Sequence, residues 1–240
     1  MTIKKLSIVI PAYNEANTIE EIIRRSAEET RRLGLEEEII VVDDASVDGT
    51  QEILKRLAEN TDIQFRIIRQ EQNRGKGAAL KRGFMEATGD IVLVQDADLE
   101  YDPTDYEVLL KPFSDSRTNA DVVYGSRFRG NIRKVGYFWN SLGNKFLTFL
   151  SNMLMGLNLT DMETGYKVFR REVIQQIAST LMSRRFDVEP ELTAKVAKGK
   201  WRLFEIPISY SGRTYKEGKK IGFRDGLRAI WVIFKFRFFD

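Results

Sequence analysis

The chain has 240 residues, enough to bury one sizeable α/β domain or two small ones. It contains no cysteine and no histidine, which excludes a disulfide framework, thiolate or imidazole metal sites, and any catalytic triad or general base built on imidazole. Lys and Arg number 38 against 35 Asp and Glu, too small a surplus to indicate nucleic acid.

Met1-Thr2-Ile3-Lys4-Lys5 runs directly into a strand-like segment, with no apolar stretch of signal-peptide length. No window reaches the roughly 20 uncharged apolar residues of a membrane span. A cytoplasmic protein is expected.

Residues 6–10 form an apolar strand run ended by Pro11, and a helix is expected over 17–33 with Ile19, Ile22, Ile23 and Ala27 on one face. Strand signals follow at 38–42, 65–68, 91–94 and 121–124, alternating with helical segments at 51–58, 77–87 and 106–113. Beyond these, 138–159 reads as one or two helices, 165–169 and 201–206 as strands, and 188–197 as a helix. Residues 210–222 make a polar, basic loop, and 223–239 close the chain. The βαβα order with continuously apolar strands predicts an α/β fold with a mostly parallel sheet covered by helices on both faces. Ligands bind such sheets beyond the carboxyl ends of the strands.

The polar motifs fall at those ends. Asp96-Ala97-Asp98 directly follows the strand at 91–94. If the chain stays extended, the two carboxylates leave it on one side, roughly 7 Å apart at the backbone. That spacing suits one hard cation such as Mg²⁺ or Mn²⁺, although acids at a strand end also serve loop solvation or helix capping. Asp43 and Asp44 end the strand at 38–42 and could accept from a nucleobase or from ribose hydroxyls, while Ser46 and Asp48 are expected to cap the next helix. Pro11-Ala12-Tyr13-Asn14-Glu15 replaces the glycine fingerprint of a dinucleotide fold, which argues against NAD and FAD. Tyr13 could stack on a base and Glu15 reach a ribose. Asn73-Arg74-Gly75-Lys76-Gly77 offers N–H groups and cations to phosphate at a helix start, but is not a Walker loop.

In this order and spacing the motifs resemble family 2 glycosyltransferases of the GT-A fold, most closely the dolichol- or polyprenyl-phosphate sugar synthases. Further matches are Tyr124-Gly125-Ser126-Arg127-Phe128, residues 161–169 and 186–191, and residues 207–220 with Gly212-Arg213 and Lys219-Lys220. The resemblance covers nearly the whole chain and implies a GT-A nucleotide-diphospho-sugar transferase fold. It implies that residues 1–240 form one domain, with a nucleotide-sugar half (1–128) and an acceptor half (129–240) carrying amphipathic helices near 138–157 and 223–239. It also implies roles. Pro11, Tyr13, Glu15, Val42 and Asp44 would line the nucleoside pocket with Asp43 adjacent. Asp96, Ala97 and Asp98 would meet the donor, with Asp96 and Asp98 holding Mg²⁺ or Mn²⁺. Lys76, Arg127, Arg213 and Lys219 would meet phosphates, arginine by its bidentate fork. Asp96, Asp98, Arg127 and Arg213 are the candidate catalytic residues. The loop at 129–134 departs from the lipid-phosphate synthases, leaving acceptor contacts by Arg133 or Lys134 open. A Q-x-x-R-W element is absent, which argues against a processive polysaccharide synthase.

The implied reaction is an inverting transfer of a hexose from GDP-mannose or UDP-glucose to a polyprenyl or dolichyl phosphate. A phosphate acceptor arrives already anionic and needs cations more than a base. A hydroxyl acceptor would need a carboxylate, for which Asp161, Glu189 and Glu191 are candidates. The aromatic and cationic segment at 227–239 suits a bilayer interface or a partner, and the segment at 139–150 suits either the same interface or packing in the core or on another subunit. Peripheral membrane contact is therefore expected, or reliance on a membrane anchor subunit or a second copy. The alternatives are a soluble glycan or protein acceptor and a non-catalytic nucleotide-binding module.

Overall fold

The computed structural model describes residues 3–129, 138–212 and 223–239. Strand β1 (Lys5–Ala12) is followed by α1 (Ile19–Arg32), β2 (Glu36–Asp43), α2 (Thr50–Asn60), β3 (Phe65–Arg69), α3 (Lys76–Glu86) and β4 (Ile91–Val94). After a 3₁₀ turn at Pro103–Asp105 come α4 (Tyr106–Ser114), β5 (Val122–Ser126), α5 (Phe138–Met155), β6 (Lys167–Arg170), α6 (Arg171–Thr180), α7 (Val188–Gly199), β7 (Leu203–Pro207) and α8 (Phe223–Phe238). The seven strands form one sheet in the order β3-β2-β1-β4-β6-β5-β7. Every pairing is parallel except those of β6, which runs antiparallel to both neighbours.

Alternate residues of the central strands feed two cores. Leu6, Ile8 and Ile10 of β1 pack on one face with Ile19, Ile22, Ile23 and Ala27 of α1, the stripe expected from sequence. Val9, with Ile40 and Val42 of β2, packs on the other face against Ala79, Leu80 and Phe84 of α3 and against α6 and α7. Burial on both faces is why these strands read as unbroken apolar runs.

Three local expectations change. β1 does not stop at Pro11 but runs to Ala12. The Val9 carbonyl accepts from Gln95 N–H, so Pro11, two residues on, faces the same neighbour after its ladder has ended, and its missing N–H costs nothing. Residues 138–155 form one helix, α5. Helix α6 was not foreseen, although Val173, Ile174, Ile177 and Ala178 give it a helical buried face.

The chain winds from β1 through β2 to β3, then returns past β1 to β4 on its other side. The crevice beyond the ends of β1 and β4 is the switch point at which such sheets take ligands. Because β6 is antiparallel, its first residues reach the same edge, with Lys167 opposite Tyr124 and Val168 opposite Leu93.

Candidate active site at the carboxyl edge of the sheet

The floor of the crevice is Gln95, fully buried, whose Oε1 accepts from the hydroxyls of Tyr106 and Tyr166, both at 2.8 Å. Beyond it the chain does not stay extended. Ala97 and Asp98 enter a turn, Leu99 has φ of +60°, and the Asp98 carboxylate accepts from Glu100 N–H at 3.1 Å. The extended geometry expected for Asp96 and Asp98 is thus replaced by a turn that Asp98 closes. Gly165 lies against Asp96 so closely that a Cβ there would collide with its Oδ2 and with the Tyr101 ring.

Asp96 has a partner that sequence reading did not assign. Lys76 Nζ lies 2.7 Å from its Oδ1 and 3.1 Å from Glu189 Oε1, the second contact within ion-pair reach but off the line of a hydrogen bond. Lys167, fully buried, pairs with the other Glu189 oxygen and also donates to the carbonyls of Met162 and Thr164. Burial alone would weaken the Lys76 charge, but Asp96 and Glu189 outweigh it and hold the ammonium well above its ordinary range. Glu189 therefore neutralises two lysines, which leaves it poorly suited to the role of base.

The neighbouring residues divide in the same way. Asp43 is fully buried and accepts from Ser46 N–H and from the Gln51 amide. Asp44 accepts from the Gln70 amide and from the N–H groups of Arg74 and Gly75. Burial raises the Asp44 pKa, and those two N–H groups oppose the rise. Both acids hold together the loops that follow β2 and β3. Ser46 does not cap α2, whose N-cap is Gly49, whereas Asp48 does accept from the first N–H of the helix, that of Thr50, at 3.1 Å. Ser46 Oγ instead accepts from Asn14 N–H, and Asp48 accepts also from Ala16 N–H and from the Thr50 hydroxyl. These bonds tie the ends of β1 and β2 together. Glu15 is buried beside Thr18, while Pro11 and Tyr13 are half-buried at the strand end. The side chains of Val42 and Ala97 pack in the cores, so only their backbones remain for a ligand.

Arg127, just past β5, binds Asp161 through both Nε and Nη2 at 2.7 Å, and its guanidinium stacks over Tyr210. Asp161 also accepts from Asn144. Glu191 accepts from the N–H groups of Met182 and Ser183. All three carboxylates considered as bases are therefore committed. Glu163, which sequence reading passed over, differs. Its Oε1 is shut from solvent with no hydrogen-bond partner among the described residues. Burial, aided by the charge of Glu189 and opposed by Lys167 and Arg127, pushes its pKa up to about 7. Its place between two ion-pair clusters has no local sequence signal.

Arg213, Lys216, Lys219 and Lys220, with Arg133 and Lys134, lie outside the described residues. The chain leads into 213–222 from beside the site, because Ser211 N–H donates to the Glu100 carbonyl at 2.9 Å.

Residues 7–178, more than half of the chain, match the model of the family described as Glycosyl transferase family 2. The chain belongs to glycosyltransferase family 2. It is similar to a dolichol-phosphate mannosyltransferase of Pyrococcus furiosus, 29% identical over 221 residues. That alignment covers 91% of this chain and 60% of the relative, so the family 2 chain spans well under two thirds of that protein's length. Among solved structures it resembles the glucosyl-3-phosphoglycerate synthase of Mycobacterium tuberculosis. One structure of that enzyme, with Mn²⁺, UDP and phosphoglyceric acid, shares 21% identity at a TM-score of 0.72, covering 99% of this chain and 80% of that one. Another, with Mg²⁺ and UDP, gives 22% and 0.70, covering 97% and 79%. These likenesses establish the fold, a GT-A fold as the motifs implied.

Among the described residues no cluster of three or more acidic side chains forms a self-sufficient metal cage. Asp96 and Asp98 carry the hard oxygen donors that a cation taking most of its ligands from phosphate and water would need, were such an ion to bind here. Gly165, lacking a Cβ, lets the Asp96 carboxylate lie against its backbone.

Proposed function

We propose that the protein is an inverting, metal-dependent glycosyltransferase that moves a hexose from a nucleotide sugar, GDP-mannose or UDP-glucose, to a polyprenyl phosphate at a membrane surface. The observation that carries this is Asp96, set in the β1/β4 crevice of a family 2 fold and paired with Lys76. Pro11, Tyr13, Glu15, Asp43 and Asp44 shape the nucleoside side. Asp96 and Asp98 would hold Mg²⁺ or Mn²⁺, which when bound offsets the charge of the departing diphosphate. Lys76 adds a fixed cation on that side, and Arg213 and Lys219, cations of the basic segment that follows Ser211 in the sequence, are proposed to meet the phosphates. Arg127, held by Asp161 just past β5, is a further candidate for a phosphate contact.

The acceptor assignment has its own support. Trp139, Leu142, Phe146, Phe149 and Met153 form one exposed stripe along α5, and Leu227, Trp231, Phe234 and Phe238 form another along α8. These two helices pack on each other, and Lys145, Lys235 and Arg237 lie among the stripes. An apolar surface with interspersed cations suits the face of an anionic bilayer. Among the described residues no helix is long and apolar enough to cross a membrane, so the proposed contact is peripheral.

Glu163 favours a second reading, transfer to a soluble hydroxyl acceptor, because a carboxyl near neutrality suits a general base. One assay separates the two. Labelled GDP-mannose or UDP-glucose is supplied with Mn²⁺, with and without polyprenyl phosphate. Label entering the organic phase only when the lipid is present is the expected result. Transfer solely to water-soluble acceptors would replace the lipid reading with the second.

A further inference from the structure

Lys76 opens helix α3 from a backbone that is clamped on two sides. Asp44 accepts from the N–H groups of Arg74 and Gly75, both at 2.7 Å. On the other side Ala78 N–H donates to the Arg184 carbonyl at 3.0 Å. Gly75, at φ of +94°, and Gly77 lie so close to residues 183–185 that a Cβ at either would strike their backbone. Glu191 of α7 grips that same segment through Met182 and Ser183. The ammonium is delivered between Asp96 and Glu189 by this framework, not by the chance reach of a flexible side chain.

The result is a line of alternating charge: Asp96, Lys76, Glu189, Lys167. Its two ends differ. Lys167 is sealed in the interior with its donors used on Glu189 and two carbonyls. The Asp96 side chain keeps 18% of its exposure. A divalent cation approaching Asp96 meets a carboxylate oxygen that already faces a positive charge at 2.7 Å. Two cations cannot both sit at that oxygen without strong repulsion in a poorly solvated crevice. An anion bound beside them removes the conflict by giving the ammonium a second partner, while Glu189 stays within its reach.

We propose that Lys76 is the resident counter-cation of Asp96, and that a divalent metal displaces it only when an anionic diphosphate enters to receive the freed ammonium. Lys76 thereby couples metal and nucleotide, so that each tightens the other's binding, and keeps the empty site from taking up free metal. The inference rests on the metal and diphosphate reading given above.

The test uses the full chain with Mn²⁺ as probe, free ion being read by electron paramagnetic resonance. Titrations are run without nucleotide and with GDP or UDP, corrected for Mn²⁺ bound by the nucleotide itself. Lys76→Met is expected to tighten nucleotide-free Mn²⁺ binding about tenfold or more, since one repelling charge is gone. The same variant should lose most of the coupling between Mn²⁺ and nucleotide seen in the wild type. Thermal unfolding checks that it is folded. Lys76→Gln, which keeps a hydrogen-bond donor near Asp96, carries the same expectation if the Met variant is unstable. Unchanged or weaker nucleotide-free Mn²⁺ binding in a folded variant, with normal uptake by wild type plus nucleotide, would overturn the counter-cation role alone. A wild type that takes up no Mn²⁺ with either nucleotide would remove the metal reading, and this inference with it.

Discussion

A half-buried carboxyl with one oxygen shut from water and left without a hydrogen bond resists ionisation, and Glu163 is in that position. Unfolded, it loses its proton near 4.5; folded, near 7. The folded state binds the proton more tightly between these values, so stability from Glu163 is fully present below about 4.5 and is lost as pH rises through about 7. Glu163→Gln is uncharged throughout. It is expected to match wild type near pH 4.5 and to exceed it at pH 8 by on the order of 3 kcal/mol. Denaturant titrations at the two pH values check this, and an equal effect at both would refute it. Asp96 and Asp98 call for a different measurement. Asp98→Ala loses the bond to Glu100 N–H, a stability cost of about 1 kcal/mol. Asp96→Ala leaves Lys76 on Glu189. Both variants should stay folded while turnover falls by about 10² or more, the scale typical when a group stabilising transition-state charge is removed. Near-normal turnover in either would exclude it from the donor site.

At the scale of elements, the site depends on how closely segments approach one another. Gly165, just before β6, allows the Asp96 carboxylate to lie against its backbone. Gly165→Ala should push Asp96 off its contact with Lys76 and reduce turnover severalfold or more, with only modest loss of stability; unaltered kinetics would show that this contact is not needed. Asp44 joins the end of β2 to the start of α3. Asp44→Ala leaves two N–H groups without their acceptor and should cost about 2 kcal/mol. Its nucleotide affinity should fall as well, measured by calorimetry alongside the melting temperature. Much at this scale was legible from the residues. β1, β2 and β4 are announced by continuous apolar runs, and α1 by its periodic isoleucines. Helix α6 carried the same kind of signal in Val173, Ile174, Ile177 and Ala178, which a reading centred on polar motifs passed over. The turn after β4 was not legible, because nothing in Asp96-Ala97-Asp98 says whether the chain continues extended.

For the whole molecule, the sheet gathers the residues proposed to meet the donor at one edge while α5 and α8 form an apolar, cation-bearing surface. Replacing Phe146 and Trp231 together by Glu places charge on both exposed stripes without touching the cores. Flotation with vesicles containing anionic lipid is expected to show wild-type binding that weakens with salt, and loss of about tenfold or more in the double variant. Wild type that fails to float at low salt would leave the stripes without a membrane role.

By itself the sequence determined the class of fold, the family and the sheet edge at which the polar motifs lie, because apolar periodicity and strand-end acids are local properties. It also excluded imidazole and thiolate chemistry, which needs only a census of residue types. The tertiary structure alone decided which charges meet. Lys76, Asp96, Glu189 and Lys167 come from α3, the turn after β4, α7 and β6, and are far apart in the chain. Their pairing follows from the antiparallel insertion of β6 and from residues 183–185, which lead into α7, lying against the start of α3. Glu163 is perturbed for the same reason: burial and neighbouring charge are properties of the folded molecule, not of a motif.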